Sequence, residues 1–159
     1  MPESTRSADS FAVEKLSIHE THLLQLTLDD VLPCLTAEVR YQFKTACTIL
    51  FSPDQPDLLR VNVQMKATAR LPVAAKSTTK ASAKLTVAVI FRYADLPLLR
   101  QQQALPLSLG WTAVSIAYST VRGMVQAYFA GTSFSGAVLP IVSPQQLWQP
   151  PAAPAQAEA

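Results

Sequence analysis

The chain has 159 residues, of which 49% are hydrophobic and only 15% are charged, and its formal net charge is +2. This length suits one core-forming domain and is too short for two comfortable ones. Because the charged fraction lies well below the roughly 25% of an ordinary soluble domain, we expect apolar surface to be left over after folding, available for oligomerisation or for a binding surface.

The charges are distributed unevenly along the chain. Residues 1–30 carry six acids and two bases, a net charge of −4, whereas residues 38–100 carry ten bases and four acids, a net charge of +6. The middle of the chain is therefore predicted to present a basic surface.

The chain begins with a polar segment, residues 1–10, that is predicted to be flexible. Phe11–Leu28 then has the composition of a long strand, but Phe11 and Val13 fall out of phase with Leu16 and Ile18. A β-bulge would restore the phase, so we expect one in this segment.

Three further segments alternate apolar and polar side chains with the period of a half-buried strand. They are residues 37–46, 59–70 and 84–93, separated by a turn cluster at 52–57 and a loop of small residues at 73–82. With the first strand they predict a meander of about four strands, an antiparallel sheet with one apolar and one wet face. Their apolar positions are Val39, Tyr41 and Phe43, then Leu59, Val61, Val63, Met65 and Ala67, and finally Leu85, Val87, Val89, Phe91 and Tyr93.

Helices are predicted after the sheet. From Trp111 onward, apolar residues at positions 114, 118, 121 and 125 keep the three-four spacing of one helical face. A second apolar set leaves little of the circumference polar, so this helix is expected to contact both its own sheet and a partner. Ser143 as N-cap followed by Pro144 predicts a short second helix, and residues 149–159, rich in Pro and Ala, are predicted to form a disordered tail.

The order of elements predicts the α+β class. The expected architecture is a four-stranded antiparallel sheet followed by a long helix, a connecting loop and a short second helix, within a single domain spanning residues 11–148.

Few residues suggest catalysis or metal binding. The sequence has no nucleophile elbow, no phosphate-cradling glycine loop and no HExxH motif, so we expect neither an enzyme nor a cofactor. His19, His22, Cys34 and Cys47 would make four zinc ligands, but residues three apart on a strand point to opposite faces and the two cysteines are too far apart for a zinc knuckle. Surface histidines and core thiols are the preferred interpretation.

A cytoplasmic location is expected, because no signal peptide opens the chain and the two cysteines lack a redox spacing. Leu107–Ala130 is the only stretch of membrane-helix length, and Arg122 together with scattered polar residues argues against stable membrane insertion. Nucleic-acid binding is also not expected. The aromatic residues of the strands fall on the face opposite the Lys and Arg side chains, where they could not stack on nucleotides. A sheet face exposed to solvent, or one that meets an acidic protein partner, accounts better for the Lys and Arg residues.

Three segments give this sequence a resemblance to the SecB family of protein-export chaperones. The segment AEVRYQFKTA (37–46) is similar to the family's early strand. SLGWTAVSIAYSTVRGMV (108–125) is similar to its long helix, with a Leu-Gly before the helix and an aromatic residue followed by an Arg within it. LPIVSPQQLW (139–148) is similar to its closing segment. The segments follow the family's order, and the chain is identified as a divergent member.

The resemblance implies the fold given above, assembled as a homotetramer, a dimer of dimers. It also implies an ATP-independent bacterial holdase that binds unfolded or nascent polypeptides in apolar grooves, in protein export or for a dedicated client such as an antitoxin. Client binding is assigned by position to Val39, Tyr41, Phe43, Phe134, Leu139, Ile141, Leu147 and Trp148. An oligomer interface is assigned to Trp111, Val114, Tyr118, Val121 and Val125, with the monomer core as the alternative for the last four.

One departure from the family concerns the open sheet face, where export members carry acidic residues that dock the translocase motor ATPase. This chain has Arg40, Gln42 and Lys44 in the matching strand, which argues against docking on that motor. Two alternatives to a chaperone stay open: an oligomeric interaction module whose apolar surface is a permanent interface, and, more weakly, a carrier of small hydrophobic ligands.

Overall fold

The computed structural model of the chain describes residues 11–29, 39–70, 80–103 and 105–151. The predicted flexible N-terminus, Cys34, most of the predicted small-residue loop and most of the predicted tail lie outside these residues.

Four strands form one antiparallel sheet: β1 (Leu16–Asp29), β2 (Arg40–Phe51), β3 (Leu58–Arg70) and β4 (Lys80–Tyr93). Their spatial order is β1-β4-β3-β2. The meander predicted for all four strands is therefore wrong for β1, which pairs with β4 instead of β2. Alternation specifies which face of a strand is buried and not which edge it pairs with, so the sequence pattern could not reveal this exchange.

Strand β1 is less regular than the others. The segment that was out of phase, Val13–Lys15, forms a 3₁₀ turn before the strand begins, so the bulge predicted there is replaced by a turn. Two register shifts do interrupt β1, between Ile18 and Glu20 and between Leu23 and Gln25. Each shift inserts one residue and keeps the apolar side chains on one face.

Three helices follow the sheet: α1 (Leu96–Gln101), α2 (Leu107–Tyr128) and α3 (Pro144–Leu147). The short α1, with a proline in its first turn, was not predicted. Helix α2 is the predicted long helix and begins four residues earlier than its apolar spacing indicated. Helix α3 is the predicted short helix, although the Ser143 side chain makes no capping hydrogen bond. The predicted α+β class is confirmed.

The core lies between α2 and the inner face of β3 and β4. The side chains of Val61, Val63, Leu85 and Val87 are fully buried there, as the alternating pattern predicted. No described helix is long and apolar enough to cross a membrane.

The helix side chains assigned to an oligomer interface belong mostly to this core. Val114, Tyr118, Val121 and Val125 are buried against the sheet within one chain, so the interface assignment for these four is corrected in favour of the core alternative. The helix face that carries these four residues at three-four spacing packs on the sheet. Burial there removes the apolar stripe of an amphipathic helix from water. Trp111 is half-buried, and its Nε1–H is buried without an acceptor among the described residues.

Strand β1 extends beyond the cover that α2 provides. Ile18, Leu23, Leu26 and Leu28 pair with residues of β4 whose side chains point toward α2, yet all four are exposed. We call these four side chains the uncovered β1 face.

Candidate functional site

The candidate site lies along β2, the edge strand at the opposite end of the sheet from β1. Its helix-side residues Tyr41, Phe43 and Ile49 are half-buried and pack against the core. The chain after α2 returns over this face of β2, and α3 contacts β2 directly. An apolar strand edge is thereby combined with an apolar cover.

The cover begins with residues 131–143, which we call the tethered loop. Gly131 has a φ of +77°, a left-handed conformation that glycine adopts without the steric cost other residues incur, and it turns the chain away from the end of α2. Beyond it, the loop has no helix or strand until α3.

Three side chains from outside the loop hold it by donating to its backbone carbonyls. The Tyr41 hydroxyl donates to the Ser133 carbonyl at 2.6 Å and the Tyr118 hydroxyl to the Pro140 carbonyl at 2.7 Å. Arg122 Nε donates to the Leu139 carbonyl at 3.2 Å. Each such bond contributes about 1 kcal/mol. The lone charge of α2 therefore anchors the loop.

Aromatic rings hold the start of the loop against β2. The ring of Tyr41 lies 6.3 Å from that of Phe43 and 6.0 Å from that of Phe134, and Phe134 lies 5.6 Å from Phe129. Three of the predicted client-binding residues, Tyr41, Phe43 and Phe134, are thus brought into one aromatic cluster. Phe134 is buried within it, so a bound chain would reach the half-buried Tyr41 and Phe43 first.

Side chains of the tethered loop divide into an inner and an outer set. Phe134 and Leu139 are buried in the core, whereas Val138 is 59% exposed and Ile141 is 89% exposed. Of the loop residues predicted to bind clients, Ile141 is therefore displayed on the surface, while the other two support the loop from beneath. Val138 was not predicted, because a loop has no period that separates its outer side chains from its inner ones.

An apolar groove lies near the other end of β2, between that strand and the start of α2. Its volume is about 580 Å³, within the range of sites that hold small ligands or peptide side chains. Of the twelve residues that line it, Gln103 alone is polar. The lining residues are Ile49, Phe51, Leu59, Gln103, Leu105, Pro106, Leu107, Leu109, Gly110, Trp148, Pro150 and Pro151.

One wall of the groove is the indole of Trp148, which lies directly over Gly110 of α2. A Cβ atom at Gly110 would stand 2.6 Å from Cζ3 and 2.8 Å from Cη2 of Trp148, well inside the roughly 3.5–4.0 Å of an ordinary carbon contact. The Leu-Gly and Leu-Trp pairs of the sequence therefore meet in space. Leu147, beside Trp148, is buried in the core.

The predicted client-binding residues thus fall into two groups along β2. Val39, Tyr41 and Phe43 belong to the end held by the tethered loop, and Trp148 to the groove. Ile49 lies eight positions after Tyr41 in β2, about 27 Å along the strand at 3.3–3.4 Å per residue. The groove wall formed by residues 105–107 was missed in the sequence, where only Pro106 marked it as an interruption.

The electrostatics of this region suit apolar contact. Desolvation by burial raises the pKa of the Cys47 thiol from 9.0 to about 12. Burial also raises the pKa of Tyr118, opposed by the charge of Arg122. A thiol that stays protonated at neutral pH is a poor nucleophile, so Cys47 acts as a small core residue.

Metal-binding residues do not converge in the described part of the chain, where no group of three or more His, Cys, Asp or Glu side chains could hold an ion. The bulge at His19 does place both histidines beside one carboxylate. Nε2 of His22 lies 2.7 Å from Glu20, and Nε2 of His19 lies 3.6 Å from the same side chain. The expectation that the histidines point apart is therefore wrong because the bulge breaks the two-residue period.

Comparison with known proteins supports the fold. No protein-family model matches the chain, and no curated protein matches it significantly. Among solved structures it is similar to the SecB-like chaperone Rv1957 of Mycobacterium tuberculosis, determined in complex with a ChAD peptide from the Rv1956 HigA1 antitoxin. The TM-score is 0.57 at 15% sequence identity, over 82% of this chain and 93% of that one. The resemblance to SecB-like proteins is thereby confirmed at the level of the fold.

Proposed function

We propose that this protein is an ATP-independent holdase chaperone that keeps a polypeptide client extended along β2. The observation that carries the proposal is the apolar groove beside the edge strand, in a fold shared with a SecB-like chaperone that was solved with an antitoxin peptide. The peptide in that structure favours a dedicated client of the antitoxin kind over general export, and we place the activity in the cytoplasm.

Two physical features suit such a client. No described strand pairs with the outer edge of β2, so an extended chain can engage its backbone groups by β-augmentation. Apolar client side chains gain about 25 cal/mol for each Å² that they bury, in the groove at one end and on Ile141, Tyr41 and Phe43 at the other. Many weak apolar contacts of this kind hold a chain without reading its sequence closely.

Assembly into a homotetramer is part of the proposal. The uncovered β1 face groups four exposed aliphatic side chains, as interaction surfaces do, and the buried Nε1–H of Trp111 has no acceptor among the described residues. A second copy packed on this side of the sheet would supply both a cover and a source of acceptors. Light scattering of the intact protein tests this directly, and a monomeric mass would contradict it.

Suppression of aggregation tests the holdase. Reduced insulin is allowed to aggregate with and without a few-fold excess of the protein, and turbidity is followed. We expect suppression by the native chain and its loss in the double variant Val138→Asp and Ile141→Asp, whose side chains are exposed and need not disturb the core. Leu98→Asp is the matched control, because Leu98 is 56% exposed on α1 and lies outside the site.

Two results would contradict the proposal, the first the holdase itself and the second only the role of the tethered loop. One is turbidity unaffected by the native chain, which would leave the interaction module as the better function. The other is equal suppression by the loop double variant and the native chain, which would remove the tethered loop from the site. The size of the groove also admits a small hydrophobic ligand, and native mass spectrometry that finds a co-purified lipid would favour a carrier.

A further inference from the structure

The open face of the sheet, on the side away from α2, carries two rows of bases in strand register. Lys44, Lys66 and Lys84 are direct partners across β2, β3 and β4. Four residues further along β2, Arg40 pairs with Arg70, which pairs with Lys80. We call these six residues the basic patch.

All six side chains are exposed, and none makes an ion pair or a hydrogen bond with another described residue. Elsewhere on the described surface two bases are paired, Lys15 with Asp95 and Arg92 with Asp57. Among the residues that the structure describes, the acid nearest to the patch in strand register is Asp29, opposite Ser82 at the β1 edge. The six side chains of the basic patch therefore all carry positive charge and have no described ion-pair partner.

This arrangement opposes the stability of the free protein. Like charges directly opposite each other on neighbouring strands are destabilising, since the Cβ atoms of such residues lie about 5 Å apart. Lys66 is flanked on both sides. Solubility alone does not account for it, since interspersed charges of both signs keep a surface soluble without that repulsion. A ligand of opposite charge would remove the repulsion on binding.

We propose that the basic patch is a docking site for an acidic stretch of another polypeptide. The two rows lie about 13 Å apart along the strands, and the three strands span about 10 Å. An extended chain advances about 3.3–3.6 Å per residue, so a stretch of about five residues rich in Asp or Glu reaches from one row to the other. The groove lies on the opposite side of the sheet, and this docking does not depend on the holdase function.

Nucleic acid fits this surface less well. Single-stranded nucleic acid is held by aromatic rings placed among the bases, and the aromatic residues of β2 and β4 point to the other face. Those residues are Tyr41, Phe43, Phe51, Phe91 and Tyr93. The first four pair in register with core residues, and Tyr93 is itself part of the core. A duplex is read by a helix or a narrow ribbon that enters its groove, whereas the patch is a broad sheet face.

Fluorescence anisotropy with the full chain tests the proposal. The probes are a labelled twelve-residue peptide with six Glu residues, the same peptide with Gln in place of Glu, and single-stranded and duplex DNA of twelve nucleotides per strand. At 20 mM NaCl we expect the acidic peptide to bind, the Gln peptide to fail, and both DNA probes to bind more weakly than the acidic peptide. Raising NaCl to 200 mM is expected to weaken peptide binding about tenfold, since screening shortens the reach of exposed charges.

Two triple variants separate location from net charge. Lys44→Gln, Lys66→Gln and Lys84→Gln together remove one row, and we expect affinity for the acidic peptide to fall about tenfold. Lys15→Gln, Arg60→Gln and Arg92→Gln remove the same charge outside the patch and should leave affinity within about twofold.

A stability measurement reports on the repulsion without any ligand. Lys66→Gln is expected to raise the urea midpoint by a few tenths of a molar at low salt, and 1 M NaCl should abolish the difference. Absence of peptide binding at 20 mM NaCl, tighter binding of either DNA probe, or equal losses in the two triple variants would each overturn the proposal. Destabilisation by Lys66→Gln at low salt would overturn its physical premise.

Discussion

Replacing Gly110 by alanine should separate the shape of the groove from the stability of the helix. The added Cβ would stand 2.6 Å from an indole carbon of Trp148 and 3.4 Å from Cδ1 of Ile49. Because carbon atoms pack at about 3.5–4.0 Å, the indole must move outward by about 1 Å. The wall of the groove would then shift while the backbone of α2 stays in place.

The magnitude follows from two opposed effects. A glycine to alanine change within a helix stabilises by about 1 kcal/mol. Loss of packing around a half-buried indole costs about 1–2 kcal/mol, a fraction of the 3–5 kcal/mol for deleting a buried aromatic ring. Gly123 lies in the same helix with nothing within 4 Å of its would-be Cβ, so Gly123→Ala shows the helix effect alone. We expect Gly123→Ala to be the more stable variant by about 1–2 kcal/mol.

Urea unfolding at a fixed protein concentration, monitored by far-UV circular dichroism, measures this difference in stability. In a Trp111→Phe background, Trp148 is the remaining tryptophan, and its emission should shift to longer wavelength in Gly110→Ala but not in Gly123→Ala. Client holding should fall only in the first. Equal stabilisation by both alanines with unchanged emission would refute the contact between Gly110 and Trp148.

The remaining predictions concern the tethered loop and the buried thiol. Arg122→Met should weaken the attachment of the loop by about 1 kcal/mol, because the Leu139 carbonyl loses its hydrogen bond. Faster proteolysis within the loop would report this loss. Tyr41→Phe keeps the ring contacts and loses only the hydrogen bond of the hydroxyl, so it should lower the free energy of unfolding in urea by a similar amount. In a Cys34→Ser background, Cys47 should react with Ellman's reagent only on unfolding. Because its pKa is raised on folding, stability should fall as pH rises from about 9 towards 12, and a flat profile would contradict that burial.

Secondary structure was largely predictable because burial imprints a period on the chain. The alternation along β3 and the three-four spacing of α2 each describe one buried face, and both elements were found. The position of β1 was not predictable, since its leucines satisfy either edge of the sheet equally well. The break of phase at Phe11 and Val13 indicated an irregularity, but alternation could not distinguish a turn at Val13–Lys15 from a bulge or locate the two bulges within β1.

The candidate site was predictable in its parts and not in its arrangement. Tyr41, Phe43 and Trp148 are large apolar residues at positions matched by resemblance, and the structure places them along one strand. Burial of Phe134 and Leu139 beneath the loop could not be foreseen, because a loop has no period that tells its inner from its outer side chains. The part played by Gly110 depends on a contact across 38 positions of sequence, which no local pattern reports.

The anchoring of the tethered loop has a consequence for how this protein can diversify. All three anchoring donors, from Tyr41, Tyr118 and Arg122, bond to backbone carbonyls, which every residue type offers. The outward positions Val138 and Ile141 can therefore be exchanged without loosening the loop. If the proposed holdase binds its client through these two positions, its client preference can change by substitution there while the support of the loop stays fixed.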